Sequence, residues 1–502
     1  MNGKPKVIIS TSPWHTFFGE SLFYIPTGLS YLAGILDREG YPVTVINPDS
    51  LSTDGSVSLK THFESGDLDK NMNDPDFPVW RELEHFLRNN PFDILGISVM
   101  ISQFPSAHLL ARLAKKVNPR AIVALGGIGA TVKPELAFND AGLVDYVVRG
   151  EGEFTFLELV RRIEAGESVD TLKGISYKEN GAVRHNPDAD LIGALDSIPH
   201  PAKHCYRPLR DGQPLPSIAY GRLFFSRGCP FQCTYCDSKK LWTSRVRYPS
   251  PEYVVAQIRQ IKERYGTRLF VFDDDNFFLS PKVCNAVLDQ LIQSRLNISW
   301  RCEMRANQVT DELLTKMKKA GCKSITIGIE SGNPEILQKI KKGVTTEEMI
   351  RAAKLIKRHG IALNAFFMFG FPWETEAQMR DTLNMMYTIA PDGEVGAVHS
   401  FLIPYPGTVI YEELRSLGKL PDMPLHHLHH RNQAVQLTPH MEADRYRAFA
   451  SEVEKSFSDY NLRARLKLLY RHPRYFLLNL QQRGMLNVSS LLGACMKMAR
   501  RG

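Results

Sequence analysis

Three cysteines fall within eight residues: Cys229, Cys233 and Cys236, in the run Arg227-Gly228-Cys229-Pro230-Phe231-Gln232-Cys233-Thr234-Tyr235-Cys236-Asp237. Thiolates this close together suit three irons of a cubane [4Fe–4S] cluster. The run lacks a fourth ligand, which leaves one iron open to a reactant. A structural zinc site would want a fourth cysteine or histidine nearby. The next cysteine, Cys284, lies far along the chain. Zinc or core thiols therefore stand behind the three-ligand cluster.

The elements around this loop must hold it. From about residue 218 the chain alternates strands at 222–226, 269–272, 299–304, 324–329, 362–369 and 396–402 with helices at 251–265, 311–318, 346–359 and 375–389. This pattern predicts a partial (β/α)6 barrel over residues 218–407, with its chemistry at the strand carboxyl ends. Residues 1–165 predict a second α/β unit, a Rossmann-like, doubly wound sheet. Its strands are 7–10, 43–46, 93–99, 121–126 and 144–148, and its helices are 29–38, 106–116 and 153–165. Ligands bind such sheets over the carboxyl ends. The polar stretch 51–79 reads as a surface excursion or lid. Residues 166–217 read as a linker with a small hairpin around Glu179-Asn180-Gly181, and 408–502 as a mostly helical cap.

These motifs resemble the radical S-adenosylmethionine (SAM) enzymes. Their Cys-x3-Cys-x2-Cys loop matches Cys229, Cys233 and Cys236, and the aromatic before the last cysteine matches Tyr235. The resemblance implies that the open iron chelates the amino and carboxylate groups of SAM. Reductive cleavage then yields a 5′-deoxyadenosyl radical. Asp274 and Asp275, in Phe272-Asp273-Asp274-Asp275-Asn276, match the polar strand end that meets the SAM ammonium; a solvated turn or helix cap is the alternative. Arg305 is implied to meet the SAM carboxylate, or else to make a surface ion pair. Glu330, in Gly328-Ile329-Glu330-Ser331-Gly332, matches the strand end near the methionine or ribose. Gly370 matches the segment that backs the adenine, although a tight turn alone would also demand glycine.

Upstream, Pro26-Thr27-Gly28-Leu29, Leu95-Gly96-Ile97-Ser98-Val99, Gly126-Gly127-Ile128-Gly129-Ala130 and Gly150-Glu151-Gly152-Glu153 form an ordered set. Together they resemble the cobalamin-binding domain of one large radical SAM subclass. The implied cobalamin contacts are Gly126, Gly127, Gly150 and Glu151, with Ser98, Ser102 and Gln103 as donors to the corrin amides. A flavin or nucleotide site, and a domain that binds nothing, are the competing readings. The first 160 residues hold no Asp-x-His-x-x-Gly run, so no histidine is expected beneath the cobalt.

The two resemblances imply a cobalamin-dependent radical SAM methyltransferase of class B type. One SAM would methylate cobalamin, and a second would give the radical that opens a substrate C–H bond. The methyl would then pass from methylcobalamin to an unactivated carbon, or to phosphorus. The alternative is a cyclase or oxidoreductase that closes a ring or forms a C–C bond without methyl transfer. The implied partners are a small-molecule, lipid, tetrapyrrole or peptide substrate, and an external one-electron reductant such as flavodoxin or ferredoxin.

Bulk properties bound the rest. A formal charge of +8 over 502 residues is mild and predicts no nucleic-acid partner. Eight cysteines in that length are no disulfide scaffold, and no apolar run nears the ~18 residues of a membrane span. A cytoplasmic monomer is expected. The tail beyond residue 462 is basic and amphipathic, which reads either as peripheral contact with the inner membrane or as a cap over the barrel. His426, His427, His429 and His430 form a loop cluster. Metal binding or substrate approach competes there with ordinary surface histidines, and the surface reading is preferred.

Overall fold

The computed structural model describes residues 3–18, 22–51, 66–140, 142–210, 215–389, 395–429, 432 and 435–471. Short β-branched runs make the first sheet: β1 Val7–Thr11, β2 Val43–Ile46, β3 Ile94–Ser98, β4 Ile122–Gly126 and β5 Tyr146–Val148. A hairpin, β6 Ile175–Glu179 and β7 Ala182–His185, adds antiparallel strands to its edge through the pair Val148↔Ile175. The order is β2-β1-β3-β4-β5-β6-β7. The winding direction therefore reverses between β1 and β3, which opens a crevice at their carboxyl ends.

Side chains alternate between two cores, as the period of two along a strand requires. Ile8, Leu95, Val123 and Val147 face the core beneath helices Pro78–Asn89 and Phe104–Val117. Val7, Ile9, Ile94, Ala124 and Val148 face the core beneath helices Thr27–Arg38 and Gly152–Ala165.

The expected polar excursion at 51–79 is corrected where it is described. Residues 66–79 include a helix, Asp67–Asn73, that buries Leu68 and Met72 one turn apart, and the Trp80 indole donates to the Met72 carbonyl at 2.9 Å. Apolar spacing of four was enough to dock a segment that is polar on average. Residues 52–65 lie outside the described part.

The second sheet has six parallel strands, adjacent in chain order: β8 Arg222–Leu223, β9 Leu269–Phe272, β10 Ser299–Met304, β11 Cys322–Glu330, β12 Ala362–Phe369 and β13 Val395–Phe401. Strand β8 is only two residues long, because the chain leaves the sheet early to build the cysteine loop. Helix Ala443–Arg471 buries Tyr446, Phe449, Val453, Phe457 and Tyr460 against the barrel. Its Asn461 amide closes the open backbone of β13, accepting from Ala397 N–H at 3.0 Å and donating to the Ala397 carbonyl at 2.7 Å. That shields an edge strand from further pairing.

Between barrel and final helix, the chain returns to the first sheet. Ile403, Leu428 and Val435 are buried in its core beside Trp14 and Ile101. Among the described residues no helix is long and apolar enough to cross a membrane. The basic tail beyond Arg471 and His430 lie outside the described residues.

Candidate active site

The cysteine loop is held from both sides. Arg227 and Arg247 exchange backbone hydrogen bonds of 3.0 and 2.9 Å, and Cys229 N–H donates to the Thr243 carbonyl at 3.2 Å. Gly228 sits at φ +98°, where a Cβ would run into the Arg245 carbonyl. Across the loop, Thr234 N–H donates to the Ile340 carbonyl at 3.0 Å and the Thr234 carbonyl accepts from Ile410 N–H at 3.1 Å. All three thiols are free and partly or fully exposed. Even so, loss of surrounding solvent in the folded loop pushes the Cys236 thiol up to about 11 and raises Cys229, and a bound cation would favour their thiolate forms.

Arg305 lies against this loop. Its Nη1 is 3.7 Å from Cys233 Sγ, and its guanidinium stacks 3.7 Å from the Phe231 ring centroid. The side chain is buried, and its Nε and Nη2 find no partner among the described residues. Orphaned buried donors of this kind are costly. An anionic cluster carrying a carboxylate ligand would satisfy them, so the residues fit a [4Fe–4S] centre with SAM. The surface ion pair considered for Arg305 is ruled out by its burial.

The acids at the barrel mouth divide into two kinds. Asp274 points inward and accepts from Phe225 N–H at 3.1 Å, from Ser226 Oγ at 2.7 Å, and from Ser226 N–H. Burial pushes it up to about 8. It braces the start of the loop, so the expected SAM contact is corrected for Asp274. Asp275 faces outward instead and accepts from Ser238 Oγ at 3.0 Å, and that hydroxyl lies 3.3 Å from Cys236 Sγ. Glu303, which sequence reasoning missed, is pushed up to about 7 by burial, with Asp273, Asp275 and Glu330 adding to the shift. Its signal was available: Trp300, Cys302 and Met304 are core residues, which sends Glu303 to the other face.

Glu330 ends β11 at φ +61°, beside a register shift against β12. It pairs with Lys342 at 2.9 Å, and Lys342 Nζ also lies 3.4 Å from Tyr235 Oη. The expected Glu330 thus arrives with a buried lysine partner that the sequence did not reveal. Gly370 sits in a tight turn. At φ +80°, a Cβ there would lie 2.6 Å from Tyr446 Oη. Its N–H and that of Phe371 donate to Glu374 Oε2 at 2.8 and 3.1 Å. The tight turn by itself is enough to demand this glycine.

The first sheet's carboxyl edge is built differently. Gly127, at φ +91°, leaves room for Ser98 Oγ, which would lie 2.9 Å from a Cβ, and for the Val99 carbonyl at 3.0 Å. The loops after β3 and β4 cross there almost in contact. Gly126 makes only ordinary contact with Val148, and the Ser98 carbonyl accepts from Ser12 N–H at 3.2 Å. Gly150 N–H donates to Thr131 Oγ1 at 3.0 Å, and nothing occupies the space a Cβ would fill. Met100 is left 59% exposed at the end of β3. An exposed apolar side chain beside open space at a switch point fits a broad flat ligand such as cobalamin.

Ser102 and Gln103 are largely buried, and Gln103 Oε1 accepts from Met100 N–H at 3.0 Å, which leaves its amide NH2 as the donor.

Glu151 is also corrected, to a role between the two sheets. Its carboxylate pairs with Arg227 Nη1 at 2.9 Å and Arg247 Nη1 at 2.6 Å, and accepts from Ile192 N–H at 2.7 Å. Arg227 Nη2 also reaches Glu153. Side-chain exposures are 1% for Glu151, 6% for Glu153, 4% for Arg227 and 3% for Arg247. Burial alone would raise Glu151, but Arg247 and Arg227 hold it below the usual carboxylate range. The residue two before Cys229 is thereby clamped to the residue after Gly150. Arg227 adjoins the motif in sequence; only the fold discloses its partners.

Residues 223–386 match the model of the radical SAM superfamily, and residues 21–160 that of the B12 binding domain. An uncharacterized methyltransferase of Pyrococcus horikoshii is 33% identical over 77% of this chain and 78% of its own. The anaerobic magnesium-protoporphyrin IX monomethyl ester cyclase of Rubrivivax gelatinosus is 27% identical over 78% of this chain and 66% of its own. Among solved structures, the radical SAM methyltransferase TsrM of Kitasatospora setae, with cobalamin and a [4Fe–4S] cluster bound, superposes with a TM-score of 0.67 at 16% identity. That match covers 91% of this chain and 89% of the other.

Proposed function

This chain belongs to the cobalamin-dependent radical SAM methyltransferases, and from that premise we propose that it moves a methyl group to an unactivated carbon, or to phosphorus, of a small organic substrate. One observation carries this reading: the buried contact of Arg227 with Glu151 and Glu153 ties the cysteine loop to the glycine turn ending β5. This contact holds the start of the cysteine loop next to the turn after β5, at the carboxyl edge of the first sheet.

Cys229, Cys233 and Cys236 would hold the cluster, and the crevice marked by Met100 and Gly150 would hold cobalamin. When bound, the cluster supplies the electron that cleaves SAM, and cobalamin supplies the methyl carrier. The chain's own part is to bind and orient. Arg305 offers two free donors to the SAM carboxylate. Asp275, steadied by Ser238, would face its ammonium. Glu330, paired with Lys342 in the barrel mouth, would accept hydrogen bonds from the sugar or the methionine. The stretch bearing Ile403, Leu428 and Val435 packs into the core of the first sheet beside Trp14 and Ile101, which ties the C-terminal segment to that unit.

As a radical SAM enzyme it needs an external one-electron reductant, for which flavodoxin or ferredoxin are the proposed sources. A lipid, tetrapyrrole or peptide substrate is proposed on the same footing. Anaerobic turnover with SAM carrying a labelled methyl group, a reductant and fractionated metabolites tests the reading. Label in a new product, together with 5′-deoxyadenosine, is expected. A product formed without label would overturn it and favour the cyclase alternative, which the likeness to the Rubrivivax enzyme supports.

A further inference from the structure

The histidine loop is not a free surface feature. The turn Leu425–His427 packs on the turn Ile101–Gln103, at the end of β3. Nearby, the His429 ring stacks on Phe18 with centroids 5.8 Å apart and packs against Trp14, also at 5.8 Å. The adjacent His426 and His427 turn their rings to 81° from one another, with centroids 4.6 Å apart. Both present Nε2 to one carboxylate, that of Asp69, in helix Asp67–Asn73 of the first α/β unit. His427 Nε2 lies 3.1 Å from Oδ2, and His426 Nε2 contacts Oδ1. All three donor groups lie within 4.8 Å of one another.

We propose that Asp69, His426 and His427 form a divalent metal site of the zinc class, which staples the C-terminal crossing segment to the first α/β unit. Two imidazoles and one carboxylate are a common zinc set, with a fourth position for water. Donors bonded to one tetrahedral zinc at about 2.0–2.1 Å sit somewhat over 3 Å apart, close to the His427–Asp69 spacing. The three residues come from segments more than 350 positions apart. One ion would therefore close a very long loop, and would fix the turn that buries Ser102 and Gln103. The exposures of His426 and His427, 12% and 24%, leave a path for the ion without leaving the site fully open.

Zinc content of the full-length, cluster-loaded protein, dialysed against Zn²⁺ and freed of loose metal on a chelating resin, tests this. About one zinc per chain is expected, with iron and cobalamin unchanged. His426→Ala/His427→Ala and Asp69→Asn should each lose that zinc and keep the iron. Cys229→Ala/Cys233→Ala/Cys236→Ala should lose the iron and keep the zinc. Zinc that follows the cysteines, zinc unchanged by the histidine and aspartate variants, or none in the wild type, would overturn the proposal. As a readout that does not depend on the histidine variants, wild-type protein is also melted with and without Zn²⁺. A rise in melting temperature that Asp69→Asn abolishes is expected, and no rise counts against the site. Neither readout uses methyl transfer, so failure here is distinct from failure of the proposed function.

Discussion

The carboxyl ends of the two parallel sheets differ in chemistry. Around the first lie Gly127, Gly129, Gly150 and the exposed Met100, while Glu151 is buried in an ion pair. Around the second lie Asp275, Glu303, Arg305, Glu330 and Lys342. Close backbone and apolar surface suit a broad, flat ligand. Charged groups in a concave mouth suit a small zwitterion such as SAM. One fold principle, a parallel sheet with a crevice at its carboxyl end, serves two ligand chemistries through side-chain choice.

That contrast can be broken. The largest effect is expected from Cys233→Ala. Iron should fall to background and 5′-deoxyadenosine formation should stop, while cobalamin content holds; joint loss of both would merge the two sites into one. Glu151→Ala comes next. It leaves Arg227 and Arg247 buried beside fewer carboxylates, and breaking such a buried network costs about 3–5 kcal/mol, read by denaturant unfolding. Iron and cobalamin loading should fall together, since this clamp belongs to both regions.

Arg305→Gln touches the second region alone. Losing a charged hydrogen bond of about 2 kcal/mol should weaken SAM binding roughly 30-fold by calorimetry, with cobalamin binding unchanged. Gly127→Ala touches the first alone. Strain at φ +91° should cost about 1–2 kcal/mol and lower cobalamin occupancy, with iron unaffected.

The last test concerns Glu374 and reads stability against pH. Burial pushes its carboxyl from 4.5 up to about 8, so folding favours the protonated form. Its contribution is fully present below about pH 4.5 and is lost as pH rises towards 8. Glu374→Gln should flatten that part of the stability profile in thermal melts; an unchanged slope would count against a protonated carboxyl.

The strands of both sheets were legible because apolar runs and their turns are local patterns. Helix Pro251–Tyr265 and strands Leu269–Phe272, Ser299–Met304 and Ala362–Phe369 fall where the pattern put them. The docked helix Asp67–Asn73 was missed because two buried residues in seven do not outweigh five polar ones. At the site, the glycine assignments blurred, since a glycine serves a ligand, a turn or a neighbouring loop equally well. Gly370 makes room for Tyr446, and Gly127 for Ser98.

The sequence by itself determined the cysteine triad, because three ligands on one short loop need no distant partner to be recognised. It determined the order of the two α/β units for the same reason. Only the tertiary structure decided which charges meet. Arg227 pairs across more than 70 residues with Glu151, Lys342 across a bulge with Glu330, and His426 across more than 350 with Asp69. Burial removes the water that would otherwise solvate these groups, and a side chain then acquires whatever partner the fold brings within reach.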